Sequence, residues 1–198
     1  MTPTPPLDRA ALERAFLCAR SFNRFTDQPV SDETVRELYE VVKWGPTSMN
    51  TQPARFLFLR SQAAKERLLP ALSSGNQEKT LKAPLTVIIA QDTQFYEHLP
   101  TQFSAYDARP MFEGNAGLAQ ATAMRNSSLQ GGYLIIAARL LGLDSGAMSG
   151  FDPAKVNAEF FPDGRYQVNF LLNLGYGDAS GNHPRGPRLP FETVAQIL

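Results

Sequence analysis

The amino-acid sequence predicts a single domain with an α/β order of elements. Two observations carry that reading. Apolar runs of strand length, Arg55–Leu59 (RFLFL), Leu85–Ala90 (LTVIIA) and Val168–Leu174 (VNFLLNL), alternate with stretches whose apolar residues recur at helical spacing. A chain of 198 residues that is 43% hydrophobic can also fill one sizeable core, and no repeat, heptad or internal linker divides it.

Taken in order, a first helix is expected from Leu7 to about Arg20, with Asp8 near its start and Leu12, Phe16 and Leu17 on one face. The polar stretch Arg20–Arg24 ends it. The second helix is marked more strongly. Ser31 can accept from the free N–H groups of its first turn, Asp32 and Glu33 suit its positive end, and Val35, Leu38, Tyr39 and Val42 follow the helical period. Gly45-Pro46 stops it. Strands RFLFL and LTVIIA are separated by a short helix near Gln62–Leu72 and a loop at Ser73-Ser74-Gly75-Asn76. Ala119–Leu141 reads as a long helix, apolar over most of its circumference and rich in small residues at Gly131, Gly132, Ala137 and Ala138. The pattern alone leaves open a central core helix in a monomer or a helix that also packs against a second subunit. Gly142 stops this helix, VNFLLNL follows as a third strand, and Gly175-Tyr176-Gly177-Asp178 breaks it.

Nineteen basic and nineteen acidic residues balance, so bulk charge recruits neither nucleic acid nor an anionic membrane. Any anion site must be local. Cys18 is the single cysteine, so no internal disulfide is possible; its neighbours Phe16, Leu17 and Ala19 suggest a buried thiol in a reducing compartment. Met1–Pro6 lacks a basic start and an apolar segment, and no apolar run reaches the roughly 20 residues of a membrane span, which points to a soluble, cytoplasmic protein.

The two histidines, His98 and His183, have no partner at metal-ligand spacing and no obvious nucleophile, so no metal site and no catalytic side chain is assigned. No GxSxG, Walker A or GxGxxG motif occurs, which disfavours serine hydrolases, P-loop enzymes and Rossmann dehydrogenases. Reactivity would then have to come from a cofactor. Four polar clusters sit where elements end: Arg20–Arg24, Pro46–Gln52, Asn76–Lys79 and Arg185–Arg188. Arginine forks suit a phosphate, and amides with backbone groups suit the edge of a flavin ring, so the inventory fits FMN. Taken singly, each cluster is also ordinary loop chemistry.

In their order, these clusters resemble the nitroreductase family of FMN oxidoreductases over nearly the whole chain. Arg20-Ser21-x-Asn23-x-Phe25 is similar to the family's RSxRxF element, and Pro46-Thr47-Ser48-x-Asn50-x-Gln52-Pro53 to its PSSxNxQPW element. Asn76-x-x-Lys79, Ser149-Gly150-Phe151-Asp152, Gly175-Tyr176-Gly177 and Arg188-Leu189-Pro190 follow in the family's order. The resemblance implies an α+β fold with a mixed central sheet flanked by helices, an intertwined homodimer built on the long helix, and FMN held between subunits. It implies that Arg20, Ser21 and Asn23 contact the phosphate, ribityl chain or pyrimidine edge, with Arg188 at the phosphate. Pro46, Thr47, Ser48 and Asn50 would come from the other subunit. Asn76 and Lys79 would face the flavin's polar edge, and Ser149 and Gly150 would lie by the ring. NADH or NADPH would donate electrons.

The chain departs from the family at Asn23, where Arg or Lys is usual; an amide lacks the charge that stabilises an anionic reduced flavin, a role Lys79 could take. Ala54 replaces an aromatic residue and Gly186 a basic one, with Arg185 adjacent. Lys43–Asn50, Ser73–Asn76, Arg125–Ser128 and Gly146–Asp152 are similar to the branch containing malonic semialdehyde reductase of pyrimidine breakdown. That similarity implies reduction of a small semialdehyde to 3-hydroxypropionate. The alternatives are a broad nitro- or quinone reductase and, in a different class, a non-catalytic flavin-binding dimer. Arg109, near the aromatics Phe103, Tyr106 and Phe112, is the candidate to bind a substrate carboxylate, against the plainer reading that this segment fills surface.

Overall fold

The computed structural model describes residues 5–198. Four strands, β1 (Ala54–Leu59), β2 (Leu85–Asp92), β3 (Asp144–Met148) and β4 (Tyr166–Gly175), form one sheet in the order β1-β2-β4-β3. All three ladders are antiparallel. The expected mixed sheet is therefore corrected for the named strands: parallel pairing among the described residues is confined to the isolated bridge between Ser21 and Ser145. Asp144 pairs with Gly175 and Met148 with Leu171, because the chain turns back through α8 (Pro153–Phe160) instead of crossing over to re-enter from the same end.

β2 is buried at every position, and its alternation divides the core between two helical layers. Val87 and Ile89 pack with Leu172 and Leu174 against Leu38 and Val42 of α2 (Asp32–Val42) and Leu134, Ala137 and Ala138 of α7 (Ala116–Leu140). Ile88 and Ala90 turn the other way, toward Leu68 of α3 (Gln62–Leu68) and Val156 of α8. Each buried aliphatic side chain of these layers contributes about 1.5–3 kcal/mol. A satellite cluster joins Phe95, Leu99 of α5 (Leu99–Gln102) and Phe112 of α6 (Arg109–Glu113) to Ala119 and Ala123 of α7.

Ser31 caps α2 as expected, accepting from Thr34 N at 3.1 Å. The long helix is present, and Gly142 leaves it with φ +88°, a left-handed conformation glycine adopts without strain. Several other expectations are corrected. The first helix is shorter: α1 (Arg9–Leu12), capped by Asp8, runs into a π turn over Glu13–Leu17. Leu12, Phe16, Leu17 and Cys18 are exposed, because nothing among the described residues covers that side. Ser73–Asn76 is not a loop but the start of α4 (Ser74–Lys82). VNFLLNL is the fourth strand, since Asp144–Met148 is paired ahead of it. Four apolar residues on one face of α7, Leu118, Leu129, Tyr133 and Leu140, are exposed.

Candidate functional site

The chain just after the first helix runs along β3. Phe22 N donates to Ser145 O at 2.9 Å, and Phe25 bridges to Gly177. Gly146 makes this approach possible, because a Cβ there would overlap the carbonyl oxygen of Phe22. The strand that reads least like a strand is thus the one that seats Arg20, Ser21 and Asn23.

Opposite this segment lies α4. Lys79 Nζ is 3.4 Å from Asn23 Oδ1, and one turn earlier Asn76 Nδ2 donates to Gly150 O at 2.8 Å. Asn76, Lys79, Asn23 and the backbone at Ser149-Gly150 therefore come together from three separate parts of the sequence. Beneath them, buried Asn173 of β4 donates to Lys79 O at 3.3 Å and accepts from Thr86 Oγ1 at 2.7 Å, which fixes α4 on the sheet. A cleft of 550 Å³ opens between Asn23, Phe25, Gly75, Lys79 and His183, with Arg24 and Lys82 facing Glu78 and Asp178 in its lining. Burial disfavours the ammonium of Lys79 and pulls its pKa below the usual lysine value.

A second cavity of 410 Å³ adjoins the first through Asn23 and His183. It is lined by Arg20, Ser21, Arg139, Arg185 and Arg188, and no carboxylate is among its lining residues. Arg20 donates to His183 O, and Arg185 to Ala19 O at 2.8 Å, which ties the C-terminal segment to the end of the first helix. Arg188 donates to the carbonyls of Gly186 and Pro187 in its own loop. Guanidiniums held by carbonyls keep their full charge, so this pocket suits a phosphate.

Pro46, Thr47, Ser48 and Asn50 line neither cavity. They belong to a tight turn in which Met49, Asn50 and Gln52 all take positive φ. Asn126 of α7 holds it by accepting from Ser48 N at 2.9 Å, while Asn50 Nδ2 donates to Gln102 O at 2.9 Å. Arg109 also lies apart, paired with Glu113 at 3.1 Å in its own helix, which raises its pKa. Sequence reasoning passed over Arg139, whose place in the run Ala137-Ala138-Arg139-Leu140 reads simply as a basic helix end. It also passed over Asp92, buried at 0% exposure and in contact with Arg55 at 2.6 Å and Arg165 at 3.2 Å.

An α+β fold thus sets a polar cleft beside a carboxylate-free arginine pocket. Comparison with known proteins makes the assignment specific. The sequence pattern described as Nitroreductase family matches residues 19–176, and the chain belongs to that family. A protein of Ralstonia nicotianae provisionally named NADH dehydrogenase/NAD(P)H nitroreductase is 56% identical over 194 residues, covering 98% of this chain and 100% of its own. One from Stenotrophomonas maltophilia with the same provisional name is 54% identical over 96% of this chain and 97% of its own. Among solved structures, a provisional nitroreductase of Exiguobacterium sibiricum in complex with FMN matches with a TM-score of 0.81 at 21% identity, covering 100% of both chains. Another from Bacillus subtilis matches with a TM-score of 0.85 at 22% identity over 96% of this chain and 100% of its own. These two likenesses establish the fold.

Proposed function

We propose that the chain is an FMN-dependent NAD(P)H oxidoreductase, acting as a cytoplasmic homodimer, that reduces malonic semialdehyde to 3-hydroxypropionate in pyrimidine breakdown. The observation that carries the cofactor assignment is the pairing of a carboxylate-free arginine pocket with a polar cleft at Asn23 and Lys79. The FMN held by the Exiguobacterium structure and the NAD(P)H in the names of the relatives support it. Bound there, the flavin would supply two-electron redox chemistry that no side chain of the site offers.

The chain's own residues bind and orient. Arg20 and Arg188 would hold the phosphate, with Ser21 and Asn23 beside it. Asn76 and Lys79 would face the polar edge of the ring, where the Lys79 ammonium supplies the positive charge that Asn23 lacks. The Ser149-Gly150 backbone would lie along the ring. Pro46, Thr47, Ser48 and Asn50 stand clear of the cleft in one chain, so in this reading they complete the site from the partner subunit. The exposed apolar face of α7 and the unpaired outer edge of β1 support that association. Arg109 is the candidate for the substrate carboxylate, provided its pair with Glu113 opens.

The relatives' names favour a second reading for the substrate, a nitro compound, with a quinone as the other acceptor of that reading. Anaerobic absorbance titration of FMN-loaded protein with NADH and NADPH, followed by malonic semialdehyde, nitroaromatic or quinone, separates the possibilities. Bleaching by nucleotide and recovery with the aldehyde is the expected result. Recovery only with nitroaromatics discards the aldehyde, absence of bleaching leaves a non-catalytic flavin-binding dimer, and absence of flavin binding removes the reading altogether.

A further inference from the structure

The arginine pocket contains one residue unlike the other three. Arg20, Arg185 and Arg188 reach it from the segments 19–25 and 181–190 and are held by the carbonyls of those same segments. Arg139 reaches it from the last turn of α7, the 25-residue helix at the centre of the molecule. Its Nη1 donates to Ala15 O at 2.9 Å and its Nε is buried, while its Nη2 makes no hydrogen bond among the described residues. A donor fork with one arm anchored and one idle is pre-organised for an acceptor that the protein itself does not provide.

Local charge points the same way. Burial disfavours the charged form of Arg139; Asp144 opposes that effect and Arg14 reinforces it. Asp144 is itself engaged by Arg14 at 3.7 Å. α7 presents its C-terminal turn here, whose dipole repels anions, so the guanidiniums must supply all the attraction for one. Arg14 provides an internal control. It donates to Arg139 O at 2.8 Å and Leu143 O at 3.2 Å, clipping the first helix to the end of α7, yet it does not line the cavity.

We propose that Arg139 is a fourth guanidinium of the pocket and, with the loop arginines, discriminates a phosphorylated flavin from an unphosphorylated one. The proposal rests on the reading of the cleft as a flavin site. With Nη1 anchored and Nη2 free, Arg139 can bind a phosphate monoester from a fixed position on the helix. The loop arginines also keep free donors, but they are anchored only to the loop segments they join. Arg139 therefore contributes to FMN affinity and nothing to riboflavin affinity.

The test is the ratio of FMN to riboflavin affinity, read by flavin fluorescence quenching in wild type, Arg139→Gln, Arg139→Lys and Arg14→Gln. Arg139→Gln should cut the ratio about tenfold, the equivalent of about 1.4 kcal/mol, with riboflavin binding unchanged. Arg139→Lys, which keeps the charge and most of the packing, should fall between and remains measurable if the glutamine variant does not fold. Arg14→Gln should lower the melting temperature and leave the ratio alone. A ratio within twofold of wild type in both Arg139 variants overturns the proposal. So does a change in NADPH-to-NADH preference in place of the flavin ratio, which would assign the pocket to a different phosphate. If wild type binds neither flavin, the flavin reading fails on its own account. Millimolar inorganic phosphate then decides Arg139: protection of the wild-type apoprotein against heating and none of Arg139→Gln keeps it as an anion ligand, and equal protection removes it.

Discussion

The two ends of β2 collect arginines and treat them in opposite ways. At the Asp92 end, Arg55 and Arg165 converge on one fully buried carboxylate, Glu97 takes a further bond from Arg165 at 2.9 Å, and His98 stands 3.7 Å from the same aspartate. The charges close on themselves. At the Leu85 end, where Leu174 and Ser145 pair across the sheet and Ser21 bridges onto it, the arginines of the pocket find main-chain carbonyls and no carboxylate. Carbonyls orient a guanidinium without cancelling it, so the charge remains for a ligand. Residue type does not separate the two clusters; the identity of the acceptor does.

The largest way to break this contrast is Asp92→Asn. It should cost about 3 kcal/mol of unfolding free energy, toward the lower end for a broken buried pair because both guanidiniums are partly exposed. Denaturant unfolding measures it, and the FMN-to-riboflavin ratio should not move. An unchanged unfolding free energy would mean that the cluster is not what holds that end together. Next comes Gly146→Ala, which forces the 20–25 segment off β3. A loss of about 2 kcal/mol is expected from the overlap, this time together with weaker FMN binding; normal FMN affinity would uncouple that segment from the site.

Arg188→Ala follows, with the fold intact and FMN affinity down about tenfold for one lost charge-assisted contact. Equilibrium titration checks it, and unchanged affinity removes Arg188 from the site. The smallest effect is that of Lys79→Met on the apoprotein. The folded chain binds the Lys79 proton less tightly than the unfolded chain, so its burial cost is fully present at neutral pH and is relieved as pH rises through the folded pKa toward the unfolded value. The variant should gain no more than about 0.5 kcal/mol near neutrality, and the gain should shrink in alkaline melts. A gain that grows with pH contradicts the sign.

Much of the frame was legible because single residues carried local signals. Ser31, Asp32 and Glu33 marked the start of α2, and RFLFL, LTVIIA and VNFLLNL marked three of the four strands. β3 was not legible: Asp-Ser-Gly-Ala-Met has no β-branched or aromatic residue, and its strand character comes from pairing with β4. α8 left a readable trace in Asp152-Pro153, a capping acid before a proline suited to the first helical turn, where Asp152 Oδ1 accepts from Ala154 N at 2.9 Å. At the site, the clusters at 20–23, 76–79 and 185–188 were visible as loop-end polar groups, and the fold brings them together. Arg139 and Asp92 were invisible because their meaning lies in what they face across the fold.

The bond from Arg20 to the carbonyl of His183 joins positions 163 residues apart. During synthesis at about 5–20 residues per second, this side of the pocket cannot close until the segment around His183 has followed Arg20 out of the ribosome. Closure of the pocket is therefore a late event of folding and not the nucleus around which the chain folds.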